Sequence, residues 1–281
     1  TWKNCFSHNP KRLIMKGFIL SFRSEFYKTR KTAGFWSAVI LPLLLCLLLF
    51  VGFFNKSDQL VHMPGMMLWL QFAGAILGVM GSLLLPMLIV FIGYSVNSIE
   101  HKADTWKTLF SLPVSKLSVY SAKYFYAFFL VLMCLSLFVL FTLGFGNLLG
   151  VLKPALKFSE YHMEKTLIEI YTKLFLSSLG ILSIQFLLSL LFRDFLKPMG
   201  IGFICTITGV ILAVNNWKYA YLFPYSHPML ALNILHNNKG DKGAMPQLTV
   251  DIFTKEIFVS LVIAVIVFIG GYFIVLKKSV K

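Results

Sequence analysis

Stretches with no Asp, Glu, Lys or Arg dominate the chain. They are Thr32–Asn55, Gln59–Ile99, Tyr124–Leu152, Leu174–Phe192, Pro198–Trp217 and Ile257–Leu276. A helix that crosses the hydrocarbon of a bilayer needs roughly 20 apolar residues, and only a backbone bonded to itself is tolerated there. Each stretch meets or approaches that length. A seventh, Tyr219–Asn238, carries Pro224, Pro228, His227 and His236, which would leave polar groups unsatisfied in lipid, so it is not read as a span. The 41-residue stretch is too short for two spans and a turn, and its first part holds His62, Pro64 and Gly65. Its span therefore starts near Met66. Six helices are expected, at about 34–54, 66–97, 121–149, 174–192, 198–216 and 257–276.

Composition supports the same class. Only 13% of the 281 residues are charged and 58% are hydrophobic, with 28 Phe. Soluble domains carry about 25% charged residues. A water-facing surface cannot be coated from this stock, which excludes a soluble enzyme, a disordered chain and a disulfide-stapled secreted module. Cys5, Cys46, Cys134 and Cys205 form no C-x-x-C pair; three lie in expected spans and read as small packing residues.

The formal net charge of +15 is unevenly placed. Six spans put both termini on one side. That side (the N-terminal segment, 98–123, 193–197 and the C-terminus) holds 17 of the 26 basic residues, including all four Arg, against four acids. The other side holds nine basic and seven acidic residues. Cytoplasmic segments are enriched in Lys and Arg, so both termini are expected in the cytoplasm of a cell-membrane, multi-pass protein. The first apolar stretch is too long for a signal-peptide core and lacks a small-residue cleavage site, so a cleavable signal is not expected. The division expected is an N-terminal extension at 1–14, a cytoplasmic interfacial helix at 15–33 and a six-helix membrane domain at 34–281.

No nucleotide-binding, serine-hydrolase or zinc-protease motif occurs, and no catalytic or metal-binding residue is assigned. His62-Met63 and His162-Met163 are too loosely spaced to define a copper site. The basic excess lies beside spans, where anionic headgroups attract it, so lipid rather than nucleic acid is the expected contact. None of the expected spans carries a charge in its core, which argues against an ion-coupled carrier. Gln71, Asn97, Asn147 and Gln185 are expected to bond between helices. Gly74 and Gly78 are expected to let helices pack closely, within the chain more readily than between subunits.

Two segments on the basic side have helical patterns. Met15, Phe18, Ile19, Phe22 and Phe26 recur at amphipathic spacing, with Lys16, Arg23, Glu25 and Lys28 mostly on other faces, as in a helix lying in the membrane interface. In the loop from Glu100 to Ser115, Ala103, Trp106, Leu109 and Phe110 keep helical spacing until Pro113. A short helix with an aromatic knob suits docking into a groove of a soluble partner.

The loop reads E-H-K-x-D-T-W-K-x-L-F-S-L-P-V-S, and Ser24–Thr32 reads S-E-F-Y-K-T-R-K-T before an aromatic-rich first span. These motifs resemble permeases of ATP-binding-cassette exporters of the ABC-2 type, nearest the lantibiotic-immunity and bacitracin-export kind. The resemblance implies an all-α membrane protein that hydrolyses nothing itself. ATP and Mg would belong to partner ATPase subunits, beside a second permease copy or paralogue. It implies coupling to the ATPase through Glu100, His101, Lys102, Asp104, Trp106, Lys107, Leu109 and Phe110, and through the interfacial helix with Phe18, Phe22, Arg23 and Phe26. It also implies a segment that re-enters from the outer face, matching Phe223, Pro224, Tyr225, His227 and Pro228. The cargo implied is an amphipathic peptide, lipid-like or drug-like compound. An ATP-independent channel or secondary carrier, a copper-related permease and a structural membrane anchor are the alternatives.

Overall fold

A computed structural model describes residues 10–105, 114–158, 161–233 and 250–278, with side chains from Met15 to Lys277. Among them every regular element is helical. Six helices are long and apolar enough to cross a membrane, and the protein is a multi-pass, all-α membrane protein.

The amphipathic helix α1 spans Pro10–Thr29, starting five residues before the expected boundary. Thr32 then caps α2 (Ala33–Asn55), its hydroxyl accepting from the Phe35 N–H. After a short α3 (Ser57–Leu60), the second span is α4 (Gly65–Val79) and α5 (Leu85–Ala103), joined by a π-helical turn at Met80–Leu84. Pro86 accounts for the turn. Its ring crowds the carbonyl one turn back and it has no N–H to donate, so the ladder widens. The Leu85 N–H accordingly reaches the Met80 carbonyl.

The third span, α6, covers Lys116–Leu152 and is N-capped by Ser115, whose hydroxyl accepts from the Ser118 N–H at 3.1 Å. At about 1.5 Å per residue it is much longer than the hydrocarbon is thick. The fourth, α7, covers Glu164–Leu191 and begins ten residues before the expected 174. α8 covers Leu196–Val214. Two 3-10 turns (Ala220–Leu222 and Pro224–Ser226) and the short α9 (His227–Ala231) follow, and α10 (Lys255–Lys278) closes the chain.

The centre of the bundle is α7, two thirds of whose apolar window is buried, against α10, α5 and α6. At Gly180 it meets α10 closely: the Ser260 hydroxyl accepts the Gly180 N–H at 2.9 Å and lies 3.0 Å from the Leu176 and Ser177 carbonyls. By contrast α2, α8 and α10 leave most of their apolar surface uncovered by protein, as lipid-facing helices do.

One expectation is corrected here. Gly74 and Gly78 pack against nothing among the described residues: a Cβ on either would meet no described atom within 4 Å, and Gln71 on the same helix is exposed. The close intramolecular approach expected there does not occur among the described residues. Charged side chains are buried near helix ends, outside the span cores. Lys123 and Lys173 are 0% and 2% exposed, within α6 and α7.

Candidate functional site

The most concentrated buried chemistry lies at the end of the bundle that carries the termini. α1, the last turn of α5 and the start of α6 converge there. The aromatic residues of α1 hold it on α6: Phe18 meets Phe125 edge-on at 6.0 Å, and Phe22 meets Tyr126 and Phe129 at 5.8 and 6.3 Å. Phe26 meets Phe35 at 6.4 Å. Glu25 lies on this seam, one turn after Phe22, and is 3% exposed. It is thus not on the polar outer face where the amphipathic pattern puts it. Arg23 does point outward, and the Arg23 and Arg30 guanidinium groups each lie over the Tyr27 ring, at 5.7 and 5.3 Å from its centroid. Hydrogen bonding to Arg23, and its charge, hold the Tyr27 phenol below the usual tyrosine range.

The Lys123 ammonium sits between two carboxylates, 2.9 Å from Glu25 Oε2 and 2.6 Å from Glu100 Oε2, with the Val96 carbonyl at 3.3 Å. The other carboxylate oxygens, Glu25 Oε1 and Glu100 Oε1, accept from Lys28 Nζ at 3.5 and 3.3 Å. Among the described residues, two acids and two bases form a formally neutral ring contributed by three helices. Glu100 is 1% exposed and the Lys28 side chain 35%, so Lys28 is the ring's edge toward solvent. Each buried ion costs several kcal/mol to desolvate; pairing and saturated hydrogen bonds offset this, so the ring fixes geometry more than it adds stability.

Beside the ring, α5 is fastened to α7. The Asn97 amide donates to Ser189 Oγ at 2.8 Å and to the Phe186 carbonyl at 3.4 Å, while Ser189 Oγ donates to the Gly93 carbonyl at 2.8 Å. His101 Nε2 is 2.9 Å from the Ser189 carbonyl. Asp104 ends α5 in the left-handed conformation at φ 50° and accepts from Arg193 in the α7–α8 turn at 2.8 Å. Lys102 is exposed. The loop that follows thus leaves from a helix end tied to α1, α6, α7 and the α7–α8 turn. Trp106, Lys107, Leu109 and Phe110 lie outside the described residues. Of the loop residues named from sequence, Glu100 is buried within the ring. Lys123 was passed over, although a lone lysine directly before a charge-free run was a signal for it.

A family model described as ABC-2 family transporter protein matches residues 21–209, two thirds of the chain. The chain belongs to the ABC-2 family. That family is the transmembrane permease part of its transporters, not the ATPase. The match runs from within α1 through most of α8 and includes every residue of the ionic ring. No curated protein and no solved structure matches significantly.

The opposite end of this ABC-2 chain holds a second group of sequence-selected residues. Pro224, Tyr225, His227 and Pro228 are buried and Phe223 is half-buried. The backbone at Tyr225 lies where a Cβ on Gly209 of α8 would stand, and Leu232 fills the corresponding place at Gly81 in the π-turn. Tyr225 accepts from Gln185 Nε2 of α7 at 2.5 Å, and His227 Nε2 is 2.8 Å from the Tyr221 carbonyl. Lys173, inside α7 because that helix starts early, is 3.8 Å from Glu256 at the start of α10.

Proposed function

We propose that this chain is the membrane-spanning permease subunit of an ATP-driven exporter in the cell membrane, with both termini, α1 and the loop 106–113 in the cytoplasm. The charge asymmetry supports that orientation. ATP and Mg bind to a separate ATP-binding-cassette subunit, and force enters through the loop after α5, with Trp106 as anchor. The observation that carries this reading is the fastening of α5: the helix end that launches the loop is tied to α1, α6 and α7 through Glu100, Asn97 and His101. A push on the loop is therefore delivered to several helices at once. Among the described residues the fully buried lysines, Lys123 and Lys173, are paired with carboxylates toward helix ends, which gives an ion-coupled mechanism no relay across the bundle.

The chain supplies one wall of a path, so a second permease copy or paralogue is part of the proposal. The open stripe of Gln71, Gly74 and Gly78 suits a close helix contact with it. The cargo class is an amphipathic compound, such as an antimicrobial peptide, a lipid-like or a drug-like molecule, by the resemblance to lantibiotic-immunity and bacitracin exporters. The test is co-purification of the tagged permease with its ATPase, with export assayed in parallel. Trp106→Ala is expected to leave insertion intact, to weaken ATPase capture roughly thirtyfold and to abolish export, as loss of a buried aromatic anchor does. Full capture and full export by the variant refute the coupling role. Export without any ATPase moves the function to a carrier.

A further inference from the structure

We propose that the cleft between the end of α8 and the start of α10 binds the headgroup of a phosphate-bearing amphiphile of net negative charge. The cleft encloses about 450 Å³ at the end of the bundle opposite the termini. Trp217, Tyr221 and Phe253 give it apolar walls, and Lys218, Lys255 and Glu256 line it as well. Phe253 is 87% exposed and Trp217 50%, so two large aromatic surfaces stand uncovered by described protein.

The charges in the cleft are unequal. The Glu256 carboxylate faces the buried Lys173 ammonium, which offsets it. Asp251 lies near enough to act on Lys173 as well. Lys218 and Lys255 have no carboxylate within ion-pair distance among the described residues; Lys218 lies over the Tyr219 ring at 5.7 Å. Two unneutralised ammonium groups above aromatic walls match a ligand with a negative head and an apolar body. The depth fits too. Val214 ends one span and Lys255 starts another, so the cleft is at the level of the headgroups, where Trp and Tyr are at home. A phosphate on the lysines would set the first carbons of the tail against Trp217 and Phe253. The site does not rest on the export reading: it holds for a resident lipid and for an amphipathic cargo alike.

The full chain in nanodiscs provides the test, with Trp217 as reporter. Its contribution is the fluorescence of the wild type less that of Trp217→Phe, and the probes are phosphatidylglycerol and phosphatidylcholine with brominated tails. Phosphatidylglycerol is expected to quench the Trp217 component at about thirtyfold lower mole fraction, the scale set by two lysines near an anionic surface. Lys218→Gln with Lys255→Gln removes the preference, and the double change to Arg keeps it. Both lysines are exposed, so these variants keep the fold. Inorganic phosphate alone is expected not to compete at millimolar concentration; full competition would reduce the site to a charge patch and overturn the amphiphile assignment. Equal quenching by the two lipids in the wild type, or a preference that survives the double Gln variant, overturns the proposal outright. A competing amphipathic cargo that restores Trp217 fluorescence identifies the cleft as a cargo site, whereas retention of phosphatidylglycerol against every cargo identifies a lipid site.

Discussion

Lys123→Met removes the centre of the ionic ring while keeping the length of the side chain. In the wild type, Glu25 and Glu100 each lie within 2.9 Å of the same ammonium, and both are almost wholly buried. Without it, two carboxylates are left facing one lysine, Lys28, whose distances to them are 3.3 and 3.5 Å and whose side chain is partly in solvent. The ring then carries an uncompensated negative charge. Breaking a buried pair from one side costs about 3–5 kcal/mol. Lys28 still pairs with both carboxylates, so the lower figure is the one expected. At about 2–4 °C per kcal/mol, the apparent melting temperature of the protein in nanodiscs should fall by roughly 6–12 °C. Combining Lys123→Met with Glu25→Gln and Glu100→Gln removes the unpaired charges and should recover most of the loss, since a neutral replacement of a whole buried ion cluster is often tolerated. The assay is melting followed by fluorescence, for the single and the triple variant side by side. A Lys123→Met protein that melts with the wild type, or a triple variant that melts below the single one, would refute the assignment of the ring as an electrostatic unit.

Three further outcomes are expected. In a background without the native cysteines, an impermeant thiol reagent applied outside intact cells should label Phe253→Cys and leave Lys102→Cys untouched; the reverse pattern would invert the topology. Gly78→Leu should melt with the wild type, because Gly78 is exposed and a Cβ there meets no atom of the described residues, yet lower the permease dimer fraction measured by native mass; a variant still wholly dimeric would remove this stripe from the subunit contact. Pro86→Ala restores a backbone donor at the π-turn and should raise the melting temperature slightly while reducing export at unchanged ATPase capture; unchanged export would deny the turn a mechanical role.

The six spans were legible because lipid tolerates so little charge. The lipid-buried part of each helix stands out as a gap between charged residues, and every expected span corresponds to one observed. Helix ends were less legible for the same reason. Glu164–Lys173 contains Lys165, Glu169 and Lys173, so a charge-free criterion stops at 174 although the helix continues outward on its own propensity. The ring was hidden because charge in an amphipathic pattern reads as surface. Glu25 and Lys123 are 98 residues apart, and only the packing of α1 on α6 brings them together. Pro86 announced a disturbance in the second span, but its answer, a π-turn with Gly81 against Leu232, depends on a segment about 150 residues later.

The ring and the π-turn lie at the two ends of one rigid element. From Leu85 to Ala103, α5 is unbroken, and its end is held by Glu100, Asn97 and His101. Short ion pairs among buried groups resist stretching, because separating them exposes charge to a medium that cannot solvate it. A displacement of the loop after α5 is therefore carried along α5 with α1 and α6 rather than absorbed where it enters. The first compliant point it meets is Met80–Leu84, where the ladder is already widened. That point is in contact with the segment of Tyr225 and His227, through Gly81 and Leu232. On the proposed function, motion received at the terminus-bearing end thus arrives beneath the segment that closes the opposite end. On that same proposal, α5 acts as a lever and the π-turn at Met80–Leu84, set by Pro86, as its hinge.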